Sequence, residues 1–516
     1  MPLISIIPDF HPKNDARLLE RAEQLRPVLY RQIVQPEGGF ILKERYSPDR
    51  EEIRLQQLRE LPFTKGQNLC LDFGTHIVGR VSLDFAFKGS HPDAPAFLKF
   101  KFAETLDELS ENSAEYHGWI SSGWIQEEYV HLDEIPTHLH LERRYAFRYL
   151  KITVLDTSPK YQLLVRHAEC RTESSADWRR LEKRSYGDAE LDRISETGLR
   201  TLANCMQEVY EDGPKRDRRL WTGDMRLQAL VNASSFRNMD LTKRCLYLFA
   251  GSRFPDGRVA ACVFTGKHTE ADDTWLFDYA LFFVDALEEY LSETGDDEAL
   301  RDLYPIAREQ LEYSLSLCGD DGLLKSESAA DAFIDWTEGL DKAAAAQCVL
   351  IDSLGYGVRL AERFGDSVSA ARWRSEQARL RKAAVKSFYR AEENKVISNG
   401  QFSVASQVWA VLADLVEGEQ AVELMRSLAD YDGPYGMMTP YAHHYYLMAL
   451  LKCGLKAEAL DHIRYYWGSM IRAGADTFFE AWDPKDPKAS PYGGAIVNSC
   501  CHAWSCTPAY ILYKYY

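Results

Sequence analysis

The sequence predicts two domains, an N-terminal antiparallel β-sandwich followed by an (α/α)6 barrel of six helical hairpins. Three observations support this fold class: a length of 516 residues, apolar and polar residues that alternate up to about residue 170, and helical periodicity after it. Hydrophobic residues make up 46% and charged residues 27% of the chain, a mixture typical of globular proteins. We expect an N-terminal arm over residues 1–20, a β-sandwich over 21–178 and the barrel over 179–516.

The first part of the chain is predicted to form short strands, after an extended arm. Period-two spacing with aromatic and β-branched residues occurs in LCLDFG, GRVSLDFAF, FLKFKFAE and HLHLERRYAFRYLKITVLD. This alternation is typical of strands that bury one face. Turn residues such as Gly74 and Gly79 separate the segments, which favours an antiparallel sandwich.

The second part is predicted to be helical, because apolar residues recur at three- and four-residue spacing in twelve long segments. Twelve helices make six hairpins, which could close into a toroid or stack into an open solenoid. A fixed repeat of about 34–47 residues is not found, and the unusual residues lie in loops, so a closed barrel with a site at its mouth is favoured. The segments are residues 191–210, 226–237, 240–251, 275–293, 297–317, 342–364, 367–389, 403–416, 419–428, 441–453, 457–471 and 503–512.

Composition argues against several classes of function. The formal net charge is −17 without a block of like charges, which disfavours binding to nucleic acid or to an anionic membrane. The apolar run at residues 3–7 ends at Pro8 and has no basic flank, so neither a signal peptide nor a membrane anchor is predicted. The 11 cysteines, including Cys500, Cys501 and Cys506, have no pairing pattern and are expected to be buried, reduced thiols of a cytoplasmic protein.

The segment EDGPKRDRRLWTGDM, residues 211–225, is the first candidate site. It places Asp212, Asp217, Trp221 and Asp224 in one short loop between two predicted helices. Carboxyl groups can protonate a glycosidic oxygen or bind hydroxyls, and an indole can pack against the apolar face of a sugar. The alternative is a solvated loop in which Asp and Arg side chains pair with one another. The residue types therefore indicate a carbohydrate site, with the structural alternative left open.

A second candidate carboxylate is Glu480 in ADTFFEAWDP, where aromatic residues on both sides would desolvate it. The alternative is a glutamate that is favoured at a helix N-terminus by the helix dipole. Downstream, NSCCHAWS supplies His502, and Trp275 and Trp336 lie in the acidic, aromatic segments DDTWLFD and FIDWTEGLD. These two indoles are candidate sugar platforms, although a tryptophan on a helix usually belongs to the core. No glycine-rich phosphate loop or HExxH motif occurs, so we expect neither a cofactor nor a metal.

The motifs resemble those of one enzyme family. DGPKRDRRLWTGD resembles the D-C-P-x-R-D-E-R-x-G-W-T-G-D signature of the glycoside hydrolase family 78 α-L-rhamnosidases, and FEAWD resembles that family's W-E-x-W segment. LDFGTHIVGRVSLDF, KFAETLDEL and RRYAFRYLKI resemble the β-sandwich before its catalytic barrel. The similarity implies inverting hydrolysis of terminal α-L-rhamnosides with Glu480 as general base. It also implies a set of rhamnose-binding residues, namely Asp212, Trp221, Asp224, Trp275, Trp336 and His502.

The chain departs from the family at the general acid. Most members have Asp-Glu where this sequence has Asp217-Arg218, and the glycine before the tryptophan is missing. Because arginine cannot donate a proton at neutral pH, we assign the general acid to Asp217. A catalytically silent carbohydrate-binding homologue and a glycosidase for a related sugar such as L-mannose are the alternatives. The expected partner is a rhamnose-containing glycoside, and a homodimer is left open.

Overall fold

The computed structural model describes residues 7, 9–42, 50–182 and 184–516. Within these ranges strands dominate before residue 175 and helices dominate after residue 188, which confirms the predicted β-rich part followed by a helical part. The strands are β1 (Lys13–Asn14), β2 (Tyr30–Val34), β3 (Gly38–Leu42), β4 (Arg50–Ile53), β5 (Asn68–Gly89), β6 (Ala96–Ala103), β7 (Glu127–Leu132), β8 (Thr137–His140), β9 (Tyr145–Asp156), β10 (Tyr161–Ser174), β11 (Leu220–Trp221), β12 (Ser252–Arg253), β13 (Cys262–Phe264), β14 (Glu270–Ala271), β15 (Tyr389–Arg390) and β16 (Lys395–Val396).

Strands β2 to β10 form one antiparallel sheet in the described part of the chain. The long strand β5 organises it, because its register against β9 shifts between Asp72 and Ile77, where Gly74 has a left-handed φ of 78°. The first part of β5 pairs with β3, the second part pairs with β8 and β10, and β9 pairs with β5 on both sides of the shift. Leu71 from the first part and Leu83 from the second lie in one buried core with β6, β9 and β10, as expected of a sandwich.

The twelve helices predicted from periodicity are all present as α4 to α8 and α10 to α16. Several begin at a capping aspartate, such as Asp188, Asp296 and Asp366, whose side chain accepts from backbone N–H groups of the first turn. In the described ranges no helix has both the length and the apolar character needed to cross a bilayer. The helices are α1 (Ala16–Gln24), α2 (Leu55–Leu58), α3 (Leu106–Ser110), α4 (Ala189–Cys205), α5 (Thr222–Ser234), α6 (Met239–Gly251), α7 (Phe277–Thr294), α8 (Asp297–Ser316), α9 (Ser326–Ala330), α10 (Ala343–Phe364), α11 (Ser367–Phe388), α12 (Val404–Leu412), α13 (Gly418–Ser427), α14 (Pro440–Lys452), α15 (Lys456–Arg472) and α16 (Pro508–Tyr515).

The helical part closes into a ring. Contacts run from α5 to α7, then through α10 and α12 to α14. The ring is completed by the 3-10 turn Ala503–Ser505 and by α16, since the turn contacts both α14 and α5 and α16 contacts α5. These inner elements alternate along the chain with outer helices such as α6, α8, α11, α13 and α15. A closed ring is the toroid predicted from the sequence, not an open solenoid.

Residues 13–24 differ from the predicted extended arm. Strand β1 pairs with β12, and α1 packs against α6, so this segment lies on the barrel. Asp15 caps α1 by accepting from the N–H of Leu18 at 3.2 Å, and Leu18 and Ala22 join the core of the barrel. The helix is missing from the predicted elements although its sequence is amphipathic, because it is only nine residues long and buries only Leu18 and Ala22.

Buried charges join the sheet to the loop that follows α4. Arg144, just before β9, donates from Nη2 to both carboxylate oxygens of Glu211, at 2.7 and 2.6 Å. Lys215 is 1% exposed, and its Nζ lies 2.6 Å from Glu108 Oε1 and 3.6 Å from Glu104 Oε2. The loop with the first candidate site is therefore held between the sheet and the barrel.

Candidate active site

The loop at residues 211–219 lies between α4 and β11 and is closed by its own backbone. The N–H of Asp212 donates to the carbonyl oxygen of Arg219 at 3.0 Å, and the N–H of Arg219 donates to Asp212 Oδ1 at 2.9 Å. The carbonyl oxygen of Asp212 accepts from the N–H of Ala503 at 2.7 Å. These bonds fix Asp212 at the end of the barrel where α5 begins.

The two residues at the departure from the family motif point in different directions. Asp217 and Arg218 have left-handed φ values of 64° and 55°, which are uncommon for non-glycine residues. Asp217 Oδ1 lies 3.6 Å from Arg216 Nη1, and the Asp217 side chain is 24% exposed. Arg218 donates from Nη2 to the carbonyl oxygen of Arg144 at 3.0 Å, beside the sheet. The turn thus directs Asp217 toward Arg216. It directs Arg218 the other way, toward the sheet.

Glu480 lies in the segment after α15 and is buried. Its N–H donates to the carbonyl oxygen of Ser499 at 3.0 Å, and its own carbonyl oxygen accepts from Trp504 Nε1 at 2.9 Å. Its carboxylate Oε1 accepts from the hydroxyl of Tyr492 at 2.5 Å, and Oε2 pairs with Arg216 Nη2. With both its backbone and its carboxylate held, Glu480 has a fixed orientation.

Arg216 connects the two candidate catalytic carboxylates. Its Nη2 pairs with Glu480, its Nη1 faces Asp217, and its guanidinium lies 4.2 Å from the ring centroid of Tyr492. Burial lowers the pKa of Arg216, but the adjacent Glu480, Tyr492 and Asp217 outweigh burial, and the net pKa is raised well above the usual value. A permanent positive charge therefore lies beside both carboxylates.

Asp212, Asp224 and His502 form a buried polar group next to Glu480. His502 Nε2 lies 3.8 Å from Asp212 Oδ2 and 3.6 Å from Glu480 Oε1, and His502 Nδ1 lies 3.4 Å from Asp224 Oδ1. Asp224 Oδ1 and His502 Nδ1 have no hydrogen-bond partner within the described residues. Such orphaned buried atoms are rare and indicate that a ligand or water completes the site.

Burial disfavours the charged forms of these three side chains. Burial and the nearby Asp217 raise the pKa of Asp212 well above its usual value, and burial and Glu480 do the same for the pKa of Asp224. Burial and the charge of Arg216 lower the pKa of His502 well below its usual value. Neutral carboxyl and imidazole groups can each donate and accept hydrogen bonds, which suits a neutral polyhydroxylated ligand.

The predicted tryptophans lie at different distances from this group. Trp336 is in the aromatic cluster at Glu480, with ring centroids 5.5 Å from Tyr492 and 5.4 Å from Trp504. Trp221 precedes α5, three residues before Asp224, and its ring makes an edge contact with Tyr279 at 6.4 Å.

Trp275 lies in a separate set of contacts. Its ring packs against Phe277 and Tyr313, and the guanidinium of Arg258 lies 4.9 Å from its centroid. The structure therefore brings together Asp212, Asp217, Asp224, Glu480 and His502, with Trp336 and Trp221 at the edge and Trp275 apart from them.

Two residues of the site were not predicted. Tyr492 lies in the segment DPKDPKASPYGG, whose proline, glycine and lysine content indicates only a loop. The aromatic residue within PYGG is the one feature of this loop that could have suggested a site residue. Arg216 is visible in KRDRR, but its partner Glu480 is 264 residues away, so no local pattern reveals the pair. In the described part of the chain, no group of three or more His, Cys, Asp or Glu side chains is arranged to hold a metal ion.

The cysteines near the C-terminus lie behind the site. Cys501 Sγ is 4.0 Å from Cys205 Sγ, farther than a disulfide bond allows, and its thiol donates to the carbonyl oxygen of Thr201 at 3.8 Å. Cys501 is buried, as the sequence predicts, and Cys506 is buried as well, whereas Cys500 is only partly buried.

Comparisons with known proteins cover both parts of the chain. Residues 44–172 match the model of the glycosyl hydrolase family 78 alpha-rhamnosidase N-terminal domain. Residues 185–516 match the model of the bacterial alpha-L-rhamnosidase 6 hairpin glycosidase domain. No curated protein sequence matches the chain significantly.

Three rhamnosidases are among the solved structures that are similar to this one. A rhamnosidase from Klebsiella oxytoca with rhamnose bound has 42% identity and a TM-score of 0.94, with 98% of this chain and 99% of that chain covered. A GH78 family rhamnosidase of Bacillus sp. GL1 has 22% identity and a TM-score of 0.76, with coverages of 90% and 49%. An alpha-L-rhamnosidase of Streptomyces avermitilis complexed with L-rhamnose has 18% identity and a TM-score of 0.69, with coverages of 95% and 44%. The last two share the fold, whereas the family models and the Klebsiella oxytoca enzyme show that the chain belongs to glycoside hydrolase family 78, the α-L-rhamnosidases.

Proposed function

We propose that this chain hydrolyses terminal α-L-rhamnosides with inversion at the anomeric carbon, with Asp217 as general acid and Glu480 as general base. One observation carries the proposal: the guanidinium of Arg216 contacts both carboxylates next to the buried group of Asp212, Asp224 and His502. Inversion is the outcome that the family resemblance implies. It would require the two carboxyl groups to lie about 6.5–9.5 Å apart, which leaves room for the attacking water, whereas a retaining pair is about 5–5.5 Å apart.

Asp212, Asp224 and His502 are the proposed binding groups for the sugar. The free atoms Asp224 Oδ1 and His502 Nδ1 suit sugar hydroxyls, which donate and accept hydrogen bonds. Trp221 and Trp336 would supply ring faces for the apolar side of the sugar. The similarity to a rhamnosidase with rhamnose bound supports L-rhamnose as the glycone.

Trp275 remains a candidate sugar-binding residue. Its indole Nε1 is buried without a partner in the described residues, although its ring contacts lie outside the carboxylate group.

In the proposed reaction, Asp217 donates its proton to the glycosidic oxygen while the bond to the anomeric carbon breaks. Glu480 takes a proton from a water molecule that attacks the opposite face of the sugar. Arg216 and the hydroxyl of Tyr492 orient the Glu480 carboxylate toward that water. The exposed fraction of Asp217 lets its proton be replaced from solvent after each turnover.

The proposal is tested with methyl glycosides followed by proton NMR. We expect hydrolysis of methyl α-L-rhamnoside, with β-L-rhamnose as the first product before mutarotation. The α-anomer as first product would argue for retention. Faster hydrolysis of methyl α-L-mannoside, which differs in carrying a hydroxyl at C6, would favour the related-sugar alternative. Binding of L-rhamnose without hydrolysis would identify a catalytically silent homologue.

A further inference from the structure

Two exposed aromatic rings lie on loops that touch the proposed catalytic site. Trp119 is 52% exposed and belongs to the part of the chain before the barrel. Phe264 is 36% exposed and ends β13 in the barrel. Large apolar groups at a protein surface are unfavourable in water, so rings that flank a site are candidates for ligand contact.

Trp119 is connected to the general base through one aromatic ring. Its Nε1 donates to the carbonyl oxygen of Pro491 at 3.0 Å, and its ring centroid lies 5.4 Å from that of Tyr492. The hydroxyl of Tyr492 holds Glu480 Oε1. The hydrogen bond anchors the indole, but it leaves about half of the side chain in solvent. Anchoring alone therefore does not explain why a tryptophan is exposed here.

Phe264 is connected to the sugar-binding group on another loop. The guanidinium of Arg219 lies 4.6 Å from the ring centroid of Phe264, and the N–H of Arg219 donates to Asp212 Oδ1. Strand β13, which ends at Phe264, pairs with β11, which ends at Trp221. Arg219 covers part of the Phe264 ring, and the remainder is open to solvent.

We infer that Trp119 and Phe264 form the surface that binds the aglycone, and that they select a planar, apolar group. This inference rests on the proposed function, because it concerns the part of the substrate beyond the rhamnose. Asp212, Asp224 and His502 are buried, so the rest of the substrate must extend toward the exposed residues. The indole N–H of Trp119 is already used by Pro491, and Phe264 has no polar atom, so both offer only ring faces.

The test compares benzyl with methyl α-L-rhamnoside, since both release a primary alcohol but only benzyl carries a ring. We expect Trp119→Ala to raise the KM for the benzyl substrate about three- to tenfold, because this corresponds to the free energy of one contact between aromatic rings. The KM for the methyl substrate should change by less than about twofold. Phe264→Ala should also raise the KM for the benzyl substrate. Trp119→Phe keeps an aromatic ring, so its KM for the benzyl substrate should be close to that of the wild type. The matched control is Trp178→Ala, because Trp178 is also exposed but its ring packs against Phe236.

The outcomes separate the inference from the function on which it rests. If the wild-type protein hydrolyses neither rhamnoside, the proposed function fails. If it hydrolyses both and Trp119→Ala weakens them equally, Trp119 only holds its loop, and the aglycone surface is contradicted. An unchanged KM for benzyl rhamnoside in the Trp119→Ala and Phe264→Ala variants would also contradict it. Unchanged melting temperatures of the variants confirm that the KM values refer to folded protein.

Discussion

Burial of the Asp224 side chain opposes folding at neutral pH. Asp224 is 2% exposed, and burial together with Glu480 raises its pKa well above the usual value. A carboxyl group whose pKa is higher in the folded state destabilises the fold as the pH rises above its unfolded pKa of about 3.9. We expect Asp224→Asn to raise the free energy of unfolding at pH 7 by about 1–2 kcal/mol while abolishing hydrolysis. In urea unfolding, the gain should shrink at pH 3.5, where both states are protonated.

Asp335 provides the control for this prediction. It is also buried, but its carboxylate accepts from the N–H and hydroxyl of Thr439, the N–H of Met438 and the hydroxyl of Thr337. Asp335→Asn would turn an NH2 group toward donors, so we expect a loss of about 1–3 kcal/mol. Burial raises the pKa of Asp335 as well, so the two residues differ in the donors that their carboxyl groups meet. A similar loss for Asp224→Asn at pH 7 would contradict the prediction that burial of Asp224 opposes folding.

The two proposed catalytic carboxylates should respond differently to the leaving group. Asp217→Asn is expected to slow hydrolysis of methyl α-L-rhamnoside about 10²–10⁴-fold, and 4-nitrophenyl α-L-rhamnoside much less, because nitrophenolate departs with little acid help. Glu480→Gln should slow both substrates severely, since water attack is needed in each case. The measurement is kcat at saturating substrate for both rhamnosides. Equal, mild losses in the two variants would show that the acid and base are other residues.

At the scale of elements, the contact between two loops fixes the general base. Gly118 packs against the loop that carries Tyr492, and a Cβ added at Gly118 would overlap the Tyr492 carbonyl oxygen and the Tyr116 hydroxyl. Because Tyr492 holds Glu480, we expect Gly118→Ala to reduce kcat about 10–100-fold, although the residue touches no catalytic atom. Steady-state kinetics on methyl α-L-rhamnoside would show the loss in kcat.

Gly123, five residues later, serves as the matched control. A Cβ there would meet only the flexible Ser121 Oγ at 3.2 Å, so Gly123→Ala should leave kcat within about twofold. Equal effects of the two glycine substitutions would mean that the loop tolerates the added methyl and that the contact does not position Glu480.

The elements that could be predicted are those with a long periodic signal. Helices such as α7 and α10 repeat apolar residues over 18 and 22 positions, and the closed ring follows from their number. The site was predicted in part, because Asp212, Asp217 and Asp224 lie in one short segment of the sequence, although the structure places Asp224 in the first turn of α5 and not in the loop. Tyr492 and Arg216 could not be predicted, since each acts on Glu480 through a contact that exists only after the chain folds.

At the scale of the whole molecule, the sheet is part of the construction of the site. Glu104 at the end of β6 and Glu108 in α3 face Lys215, and Glu104 Oε2 also accepts from the N–H of Cys500 at 2.6 Å. Lys215 directly precedes Arg216, and Cys500 lies two residues before His502. The sheet therefore contacts both segments that carry these site residues. The division near residue 178 stays a prediction, and these contacts lead us to expect one cooperative unit across it.

Lys215 is the cation on which this buried junction depends. Burial lowers the pKa of Lys215, but Glu108 and Glu104 outweigh burial and raise it, so the ammonium stays charged between two buried carboxylates. We expect Lys215→Met to destabilise the protein by about 3–5 kcal/mol, because it removes the cation 2.6 Å from the buried carboxylate of Glu108 and leaves Glu104 with His76 alone as its charged partner among the described residues. In hydrogen–deuterium exchange across a urea series, peptides of β6 and of α12 should lose protection together and at lower urea than in the wild type. Lys485→Met breaks an exposed ion pair with Asp432. It should leave unchanged the urea concentrations at which the β6 and α12 peptides lose protection. Earlier exchange in β6 with α12 unaffected would show instead that the sheet and the barrel unfold separately.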